Sequence, residues 1–302
     1  MLECELNAVW SISESESLIC AFKSLIKRLL YTLFPLSLRK QLAIWINRQK
    51  WLSKHARAWW PHALLRDLAR EDPDEFHKFQ WKHHLGYARS YDIASRFGFE
   101  NFNETRKLLF TELPDRFRQL GIEPDRDVNS VLDVGCSLGY HLRYMETDLF
   151  RAAERLAGLD IDVKAIEEGR RYLAELGSRV CLRSGDIVDL ELLTGHDRFD
   201  VIFCCGTLLY LEERSAAELV AKMLDHADKV LVLSGLAWSD CDNRELPHSM
   251  LREHDHTWYH NLDAMVEQAG GEILYRRCEY GTVVDGNTIY FLYARRAKTS
   301  PD

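Results

Sequence analysis

The chain has 302 residues, of which 46% are hydrophobic and 28% charged, and its formal net charge is −8 at pH 7. This composition is ordinary for a globular protein, and the length allows one large domain with an appendage. The eight cysteines include no Cys-x-x-Cys pair, which argues against zinc binding and against a disulfide framework. The sequence therefore predicts reduced thiols in a cytoplasmic protein.

Residues 1–66 are predicted to form a basic, amphipathic helical arm. The stretch 18–66 holds ten basic residues and no Asp or Glu, and its apolar residues recur at helical spacing before and after Pro35. The longest uncharged run, residues 29–38, has only ten residues and is too short to span a bilayer. Early glutamates and the lack of a cleavage site argue against a secretory signal.

Three roles for this arm stay open. It packs on the rest of the chain or on a second subunit, as in a homodimer, with its basic face in water. Alternatively, it lies peripherally on an anionic membrane surface, with its tryptophans at the headgroup level. A third role is contact with nucleic acid through phosphates. The other residues carry 29 basic against 47 acidic side chains, and this acidic part repels polyanions.

Residues 67–127 are predicted to be a helical region before the first strand. They are unusually rich in aromatic and histidine residues, and four of these stand out as candidates to cover a ligand: Trp81, His84, Tyr87 and Tyr91. Ordinary helix packing is the alternative role for each of them.

A glycine-rich turn follows the first predicted strand. The apolar run around Val131 and Leu132 is typical of a buried parallel strand, and it ends with Asp133 just before the sequence Gly-Cys-Ser-Leu-Gly at residues 135–139. Such a turn brings backbone N–H groups close to a small ligand. An acid precedes the turn and no phosphate-loop lysine follows it. The pattern therefore favours a ligand with positive charge, such as the amine and sulfonium of S-adenosyl-L-methionine (SAM).

Four further strands are predicted downstream. The second strand ends at Asp160, 27 residues after Asp133, where a carboxylate can accept hydrogen bonds from both ribose hydroxyls. The third ends in a turn before Asp186, which is placed to accept from an adenine amino group. The fourth breaks at Gly206, and the fifth spans about 229–238.

With these signals in order, residues 128–298 resemble the class I SAM-dependent methyltransferases. The resemblance implies a Rossmann-like, doubly wound α/β fold with a seven-stranded, mostly parallel sheet and an antiparallel last strand. It also implies a set of residues that contact the methionine, ribose and adenine parts of SAM and the methyl-transfer side: Asp133, Gly135, Cys136, Ser137, Gly139, Asp160, Ile161, Asp186, Ile187, Cys205, Gly206 and Thr207. Ser137 stands where the family often has glycine, and a doubly wound sheet that binds another ligand is the alternative.

The same resemblance gives residues 67–127 a role, because many members use the helix before the first strand as a lid over the cofactor. A lid excludes water and strengthens electrostatic interactions around the reacting groups.

The candidate catalytic residues lie mainly after the fifth strand, in residues 247–271, where family members insert substrate-binding structure. A histidine there could take a proton from the acceptor as the methyl group is transferred. His256 is the preferred base, with His260 beside it, and Tyr210 after the fourth strand is the second choice. The cluster of His254, His256 and His260 could also bind a metal, but the missing fourth ligand favours a metal-free site.

These observations predict a methyltransferase that uses SAM and releases S-adenosyl-L-homocysteine (SAH). The favoured acceptor is a small molecule or a glycan, with a lipid-linked acceptor as one alternative, and the enzyme is expected to be cytoplasmic or peripheral at the inner membrane surface. An RNA or other nucleic-acid methyltransferase is the alternative, although the sequence after the fourth strand, Cys205 to Leu208, lacks the Asn-Pro-Pro-Tyr type of motif. A non-catalytic SAM-binding domain is the third hypothesis. The sequence leaves open the acceptor and the atom that is methylated.

Overall fold

The computed structural model describes residues 34–49, 51–53, 60–86, 92–284 and 287–297. Tyr87, Tyr91 and most of the predicted arm lie outside these ranges. The chain divides into two compact units, residues 1–71 and 72–302. The described helices are α1 Leu36–Arg48, α2 Arg66–Glu71, α3 Pro73–Lys82, α4 Ile93–Arg96, α5 Glu104–Gln119, α6 Pro124–Asp127, α7 Tyr140–Tyr144, α8 Val163–Glu175, α9 Leu190–Thr194, α10 Glu213–His226 and α11 Leu262–Gln268.

The second unit is built on a seven-stranded sheet with the order β3-β2-β1-β4-β5-β9-β8. Its first five strands are parallel, and β9 pairs antiparallel with both β5 and β8. The predicted Rossmann-like sheet with its antiparallel last strand is therefore confirmed. A separate hairpin of β6 and β7 was not predicted. The strands are β1 Ser130–Val134, β2 Arg155–Asp160, β3 Cys181–Ser184, β4 Phe199–Cys205, β5 Ala227–Ser234, β6 Met250–Arg252, β7 Thr257–Tyr259, β8 Gly271–Val284 and β9 Asn287–Arg296.

Alternating residues of the central strands pack into two apolar layers. Val131 of β1 belongs to the layer that contains α5 and α8, whereas Leu132 belongs to the layer that contains α10 and α11. Each strand is thus covered on both faces, which explains its continuous apolar sequence. The strand order reverses at β1, between β2 and β4, so the carboxyl ends of these strands open into a crevice where ligands bind in such sheets.

The first unit is held by a buried arginine. Arg39 of α1 pairs with Asp67 of α2 at 2.5 Å and donates to the Leu64 carbonyl at 2.7 Å. A buried guanidinium needs such partners, because an unpaired one is costly to desolvate. On the surface of this unit, Trp45 and Trp51 are 53% and 75% exposed. Within the described residues, no helix is long and apolar enough to cross a membrane.

Candidate functional site

The turn after β1 has a tightly constrained backbone. Gly135, Ser137 and Gly139 all have positive φ, at 84°, 51° and 79°. A Cβ atom on Gly135 would lie 2.1 Å from the Thr207 hydroxyl oxygen, so a side chain there would clash with the loop after β4. Ser137 is the unusual member, since only glycine adopts this conformation without cost. The predicted turn is thus present, with serine taking the left-handed conformation.

Asp160, at the end of β2, holds this turn in place. One carboxylate oxygen accepts from the Ser137 amide at 2.7 Å, and the other accepts from the Asp162 amide at 2.8 Å. These hydrogen bonds offset the energetic cost of the positive φ of Ser137. Burial nevertheless raises the pKa of the Asp160 carboxyl to about 6. Each oxygen keeps a second lone pair, so the carboxylate can still accept the ribose hydroxyls predicted for it.

Behind the turn, two ionisable groups are buried together. The Asp133 carboxylate lies 3.6 Å from the His141 ring, and both side chains are almost fully buried. Neither Asp133 Oδ2 nor His141 Nε2 has a hydrogen-bond partner among the described residues. Desolvation raises the pKa of Asp133 to about 7 and lowers the pKa of His141 well below its usual value.

A cavity of about 650 Å³ opens in front of the turn. Nine of the twelve predicted cofactor-binding residues line it, whereas Asp133, Cys136 and Gly139 do not appear among its lining residues. The nine are Gly135, Ser137, Asp160, Ile161, Asp186, Ile187, Cys205, Gly206 and Thr207. The cavity therefore lies at the carboxyl ends of the strands, where the sequence places the cofactor.

An arginine that the sequence analysis did not single out also lines the cavity. Arg106 of α5 donates to the Cys205 carbonyl at 2.9 Å, and a Cβ atom on Gly206 would lie 2.8 Å from its guanidinium. Its charge lowers the pKa of Asp133, against the larger effect of burial. Arg106 belongs to a helix that precedes the glycine turn in the sequence. No sequence motif identifies it as a residue of the site.

At the other end of the cavity, Asp186 is paired with a lysine. The Lys78 ammonium of α3 lies 2.6 Å from the Asp186 carboxylate, and this contact raises the pKa of Lys78. Asp186 also accepts from the Val188 amide at 3.2 Å. The residue predicted to receive the adenine amino group thus has a cationic partner from the helical region.

Aromatic side chains line the part of the cavity next to α3. The ring centroids of Trp81 and Tyr210 are 5.2 Å apart at an interplanar angle of 64°, and those of His77 and Tyr210 are 5.0 Å apart. All three residues line the cavity. Trp81 was predicted as a lid residue and Tyr210 as a catalytic one, whereas His77 was missed.

The three predicted catalytic residues occupy different places. Tyr210 lines the cavity. Among the described residues that line it, neither His256 nor His260 is found. The His77 ring bonds through Nε2 to the His256 carbonyl at 2.8 Å. His260 is buried between the Ser249 hydroxyl, at 2.7 Å, and the Leu208 carbonyl, at 3.0 Å. Burial lowers the pKa of His260.

The lid candidate His84 is likewise buried, and its Nδ1 lies 2.7 Å from the Asp162 carboxylate. In the described part of the chain, no group of three or more His, Cys, Asp or Glu residues is arranged to hold a metal ion.

Comparison with known proteins adds three findings. Residues 131–229 match the sequence model of a methyltransferase domain family. A carboxy-S-adenosyl-L-methionine synthase from Wolinella succinogenes is 31% identical over 126 residues, which are 41% of this chain and 50% of that relative. The matched region thus spans half the length of this curated relative. Magnesium protoporphyrin IX methyltransferase from Synechocystis PCC 6803, solved with bound SAM, has a similar fold, with a TM-score of 0.51 and 18% identity over 75% of this chain and 98% of that one.

Proposed function

We propose that this protein transfers a methyl group from SAM to a small-molecule acceptor, because residues 131–229 match a methyltransferase domain family and the fold is similar to that of a methyltransferase solved with bound SAM. The observation that carries the proposal is the cavity in front of the glycine turn. It joins the turn, Asp160 and Asp186 to a region lined by aromatic side chains. Pockets of about 300–1,000 Å³ are typical of small-molecule sites.

The residues around the turn fit SAM in charge and shape. The close approach of Gly135 to Thr207 leaves backbone groups, and no side chain, at the methionine end. Asp160 keeps lone pairs for the ribose hydroxyls, and the Arg106 guanidinium would pair with the methionine carboxylate. Asp186 would accept from the adenine amine. The Asp133 carboxylate lies behind the turn, where its charge favours the positive charge of the ligand.

When bound, SAM supplies a methyl group on a positively charged sulfur. The protein's part is to align the acceptor, exclude water and receive any proton that the acceptor releases. Tyr210 and His77 lie at the cavity and are the residues that would contact the acceptor. His256 and His260 act as positioning residues in this proposal. The carbonyl of His256 fixes the His77 ring, and the His260 ring holds the carbonyl of Leu208 in the turn that bears Tyr210.

The cofactor site is tested by changing Asp160. In Asp160→Ala the ribose hydroxyls lose their acceptor, and we expect the affinity for SAM and SAH to fall roughly 10- to 150-fold, or about 1.5–3 kcal/mol. Calorimetric titration of both ligands measures the effect. Glu253→Ala, an exposed carboxylate outside the cavity, is the control and retains full affinity.

Unchanged SAM affinity in Asp160→Ala, within about threefold, would show that the cofactor binds elsewhere. Mass spectrometry of the products completes this test. Labelled methyl groups should appear on an acceptor in extracts treated with the enzyme. A carboxylated SAM would instead support the activity of the Wolinella relative.

We also propose that the first unit brings the protein to an anionic membrane surface, which would suit a lipid-linked acceptor. The support is the ten basic residues of the stretch 18–66, with no acidic residue, together with three exposed apolar side chains of the same unit: Leu38, Trp45 and Trp51. Basic residues near anionic headgroups combined with interfacial tryptophans are typical of peripheral membrane binding.

A further inference from the structure

We propose that the methyl acceptor is a small cationic amine, held in the cavity by the rings of Trp81 and Tyr210 and by the carboxylate of Asp74. The enzyme would then be an N-methyltransferase. This inference rests on the proposed function and narrows its substrate class.

The aromatic rings at the acceptor end are arranged to attract a cation. The Trp81 and Tyr210 rings pack edge to face at 64° with centroids 5.2 Å apart, and both line the cavity, so a small ligand beside the pair would contact both rings. A cation within about 6 Å of an aromatic face is attracted by the negative potential of that face, most strongly for Trp. The Trp81 ring is fixed from behind, because a Cβ atom on Gly86 would lie only 2.6 Å from it.

The charge of the cavity favours the same ligand. Eight carboxylates line the cavity against three cationic side chains. All three cations have partners: Lys78 pairs with Asp186, and Lys222 donates to the Val188 carbonyl at 2.7 Å. Arg106, at the proposed cofactor end, donates to the Cys205 carbonyl at 2.9 Å. An anionic acceptor would therefore be repelled, whereas an ammonium group would gain favourable interactions.

Asp74 lines the same cavity as the two rings and is the carboxylate that we assign to the amine. It lies in the first turn of α3 and is fixed by the Glu212 amide, which donates to it at 2.8 Å. Burial raises its pKa. A carboxylate with a raised pKa is a better proton acceptor than an exposed one, so Asp74 can both hold the ammonium and take its proton.

The chemical step balances in charge. The ammonium gives its proton to Asp74, and the neutral nitrogen then forms a bond to the methyl carbon. The carbon–sulfur bond breaks, and its electron pair stays on sulfur, leaving SAH as a neutral thioether. The product nitrogen is positive, so one unit of positive charge moves from sulfur to nitrogen within the same acidic cavity.

The test is titration of the full-length protein, saturated with SAH, with three probes of similar shape: phenethylammonium, 2-phenylethanol and 3-phenylpropionate. We expect the ammonium to bind at least about tenfold more tightly than the alcohol and the carboxylate. Trp81→Ala and Asp74→Asn should each weaken ammonium binding roughly 5- to 30-fold while SAH affinity is kept, which also shows that each variant is folded. Glu253→Gln and Trp51→Ala are the matched controls.

The inference is overturned if the alcohol or the carboxylate binds as well as the ammonium, if no ammonium binding is measurable, or if Asp74→Asn binds the ammonium like the unchanged protein. Failure of the unchanged protein to bind SAH would overturn the proposed function itself. The two results are read from separate titrations.

Discussion

At the residue scale, the buried Asp133 carboxylate is the group whose environment departs most from water. It is 1% exposed, lies 3.6 Å from a neutral, buried histidine, and has one oxygen without a hydrogen-bond partner in the described part of the chain. Such a group destabilises the fold when it is ionised, and the cofactor site tolerates this cost to keep a negative charge behind the glycine turn.

The consequence is a pH dependence of stability. The folded-state pKa of Asp133 is about 7, above the ordinary value of 3.8. A carboxyl whose pKa is raised by folding stabilises the folded protein fully at pH values below its pKa in the unfolded chain. This stabilisation is lost as the pH rises through its pKa in the folded protein. We expect the ligand-free protein to lose up to about 4 kcal/mol relative to Asp133→Asn between about pH 4 and pH 8.

Urea unfolding of both proteins across this range measures the difference. The Asp133 charge also contributes to the raised pKa of Asp160, so the difference between the two curves includes a smaller contribution from Asp160. Parallel curves for the two proteins would contradict the prediction.

The sequence located the residues that line the strand-end side of the cavity better than those on the side next to α3. Gly135, Asp160 and Asp186 follow parallel strands directly, so their local pattern places them at one edge of the sheet. Arg106 and His77 reach the same cavity from helices. The sequence pattern of these helices predicts which residues are buried and does not indicate contact with a ligand. His256, the preferred base from the sequence, lies on the hairpin of β6 and β7, and its backbone carbonyl contacts His77, which lines the cavity.

At the scale of elements, helix α3 supplies several of the residues that line the cavity. Asp72 caps its first turn by accepting from the Glu75 amide, and Pro73 occupies the first helical position, where proline is favoured. His77 and Trp81 then face the cavity one turn apart, with Lys78 reaching Asp186. The predicted role of the region 67–127 as a lid is therefore retained as a proposal for α3.

The ion pair between Lys78 and Asp186 offers a test of that role. If Asp186 receives the adenine amine, Lys78 competes with the cofactor for the same carboxylate. The Lys78 side chain is 49% exposed, so the ion pair contributes little free energy. We expect Lys78→Met to raise SAM affinity by roughly 1.5- to 5-fold.

A double-mutant cycle with Asp186→Asn checks the mechanism. The gain in SAM affinity from Lys78→Met should disappear when Asp186→Asn is also present. Calorimetric titration of the four proteins with SAM measures this difference. If Lys78→Met lowers SAM affinity instead, the lysine helps to hold the cofactor and does not compete with it.

At the scale of the whole molecule, the seven strands of the large sheet could be predicted because each strand has its own local signal. Apolar runs alternate with helical segments, which predicts parallel strands, and the close-spaced β8 and β9 predict an antiparallel pair. The hairpin of β6 and β7 was missed, since three-residue strands carry too short a pattern. The role of the first unit was left open because amphipathic helices pack equally well on protein and on lipid.

Membrane binding by the first unit is tested with vesicles that contain anionic lipid. We expect the full-length protein to co-sediment with them, and added salt to weaken the binding. Trp45→Ala and Trp51→Ala should each reduce binding by on the order of 1 kcal/mol, or roughly fivefold. Leu192→Ser changes a residue that is 85% exposed in the other unit and is the matched control. Negligible binding by the unchanged protein would contradict the membrane role.

The contacts of α3 and the loop after it also have a kinetic consequence. Asp74 accepts from the Glu212 amide, and the buried His84 ring bonds to Asp162, whose amide donates to Asp160 at the cavity. These contacts hold the helix at its start and just past its end. Cofactor exchange then requires them to separate together, so we expect long residence times for SAH and a turnover rate limited by its departure.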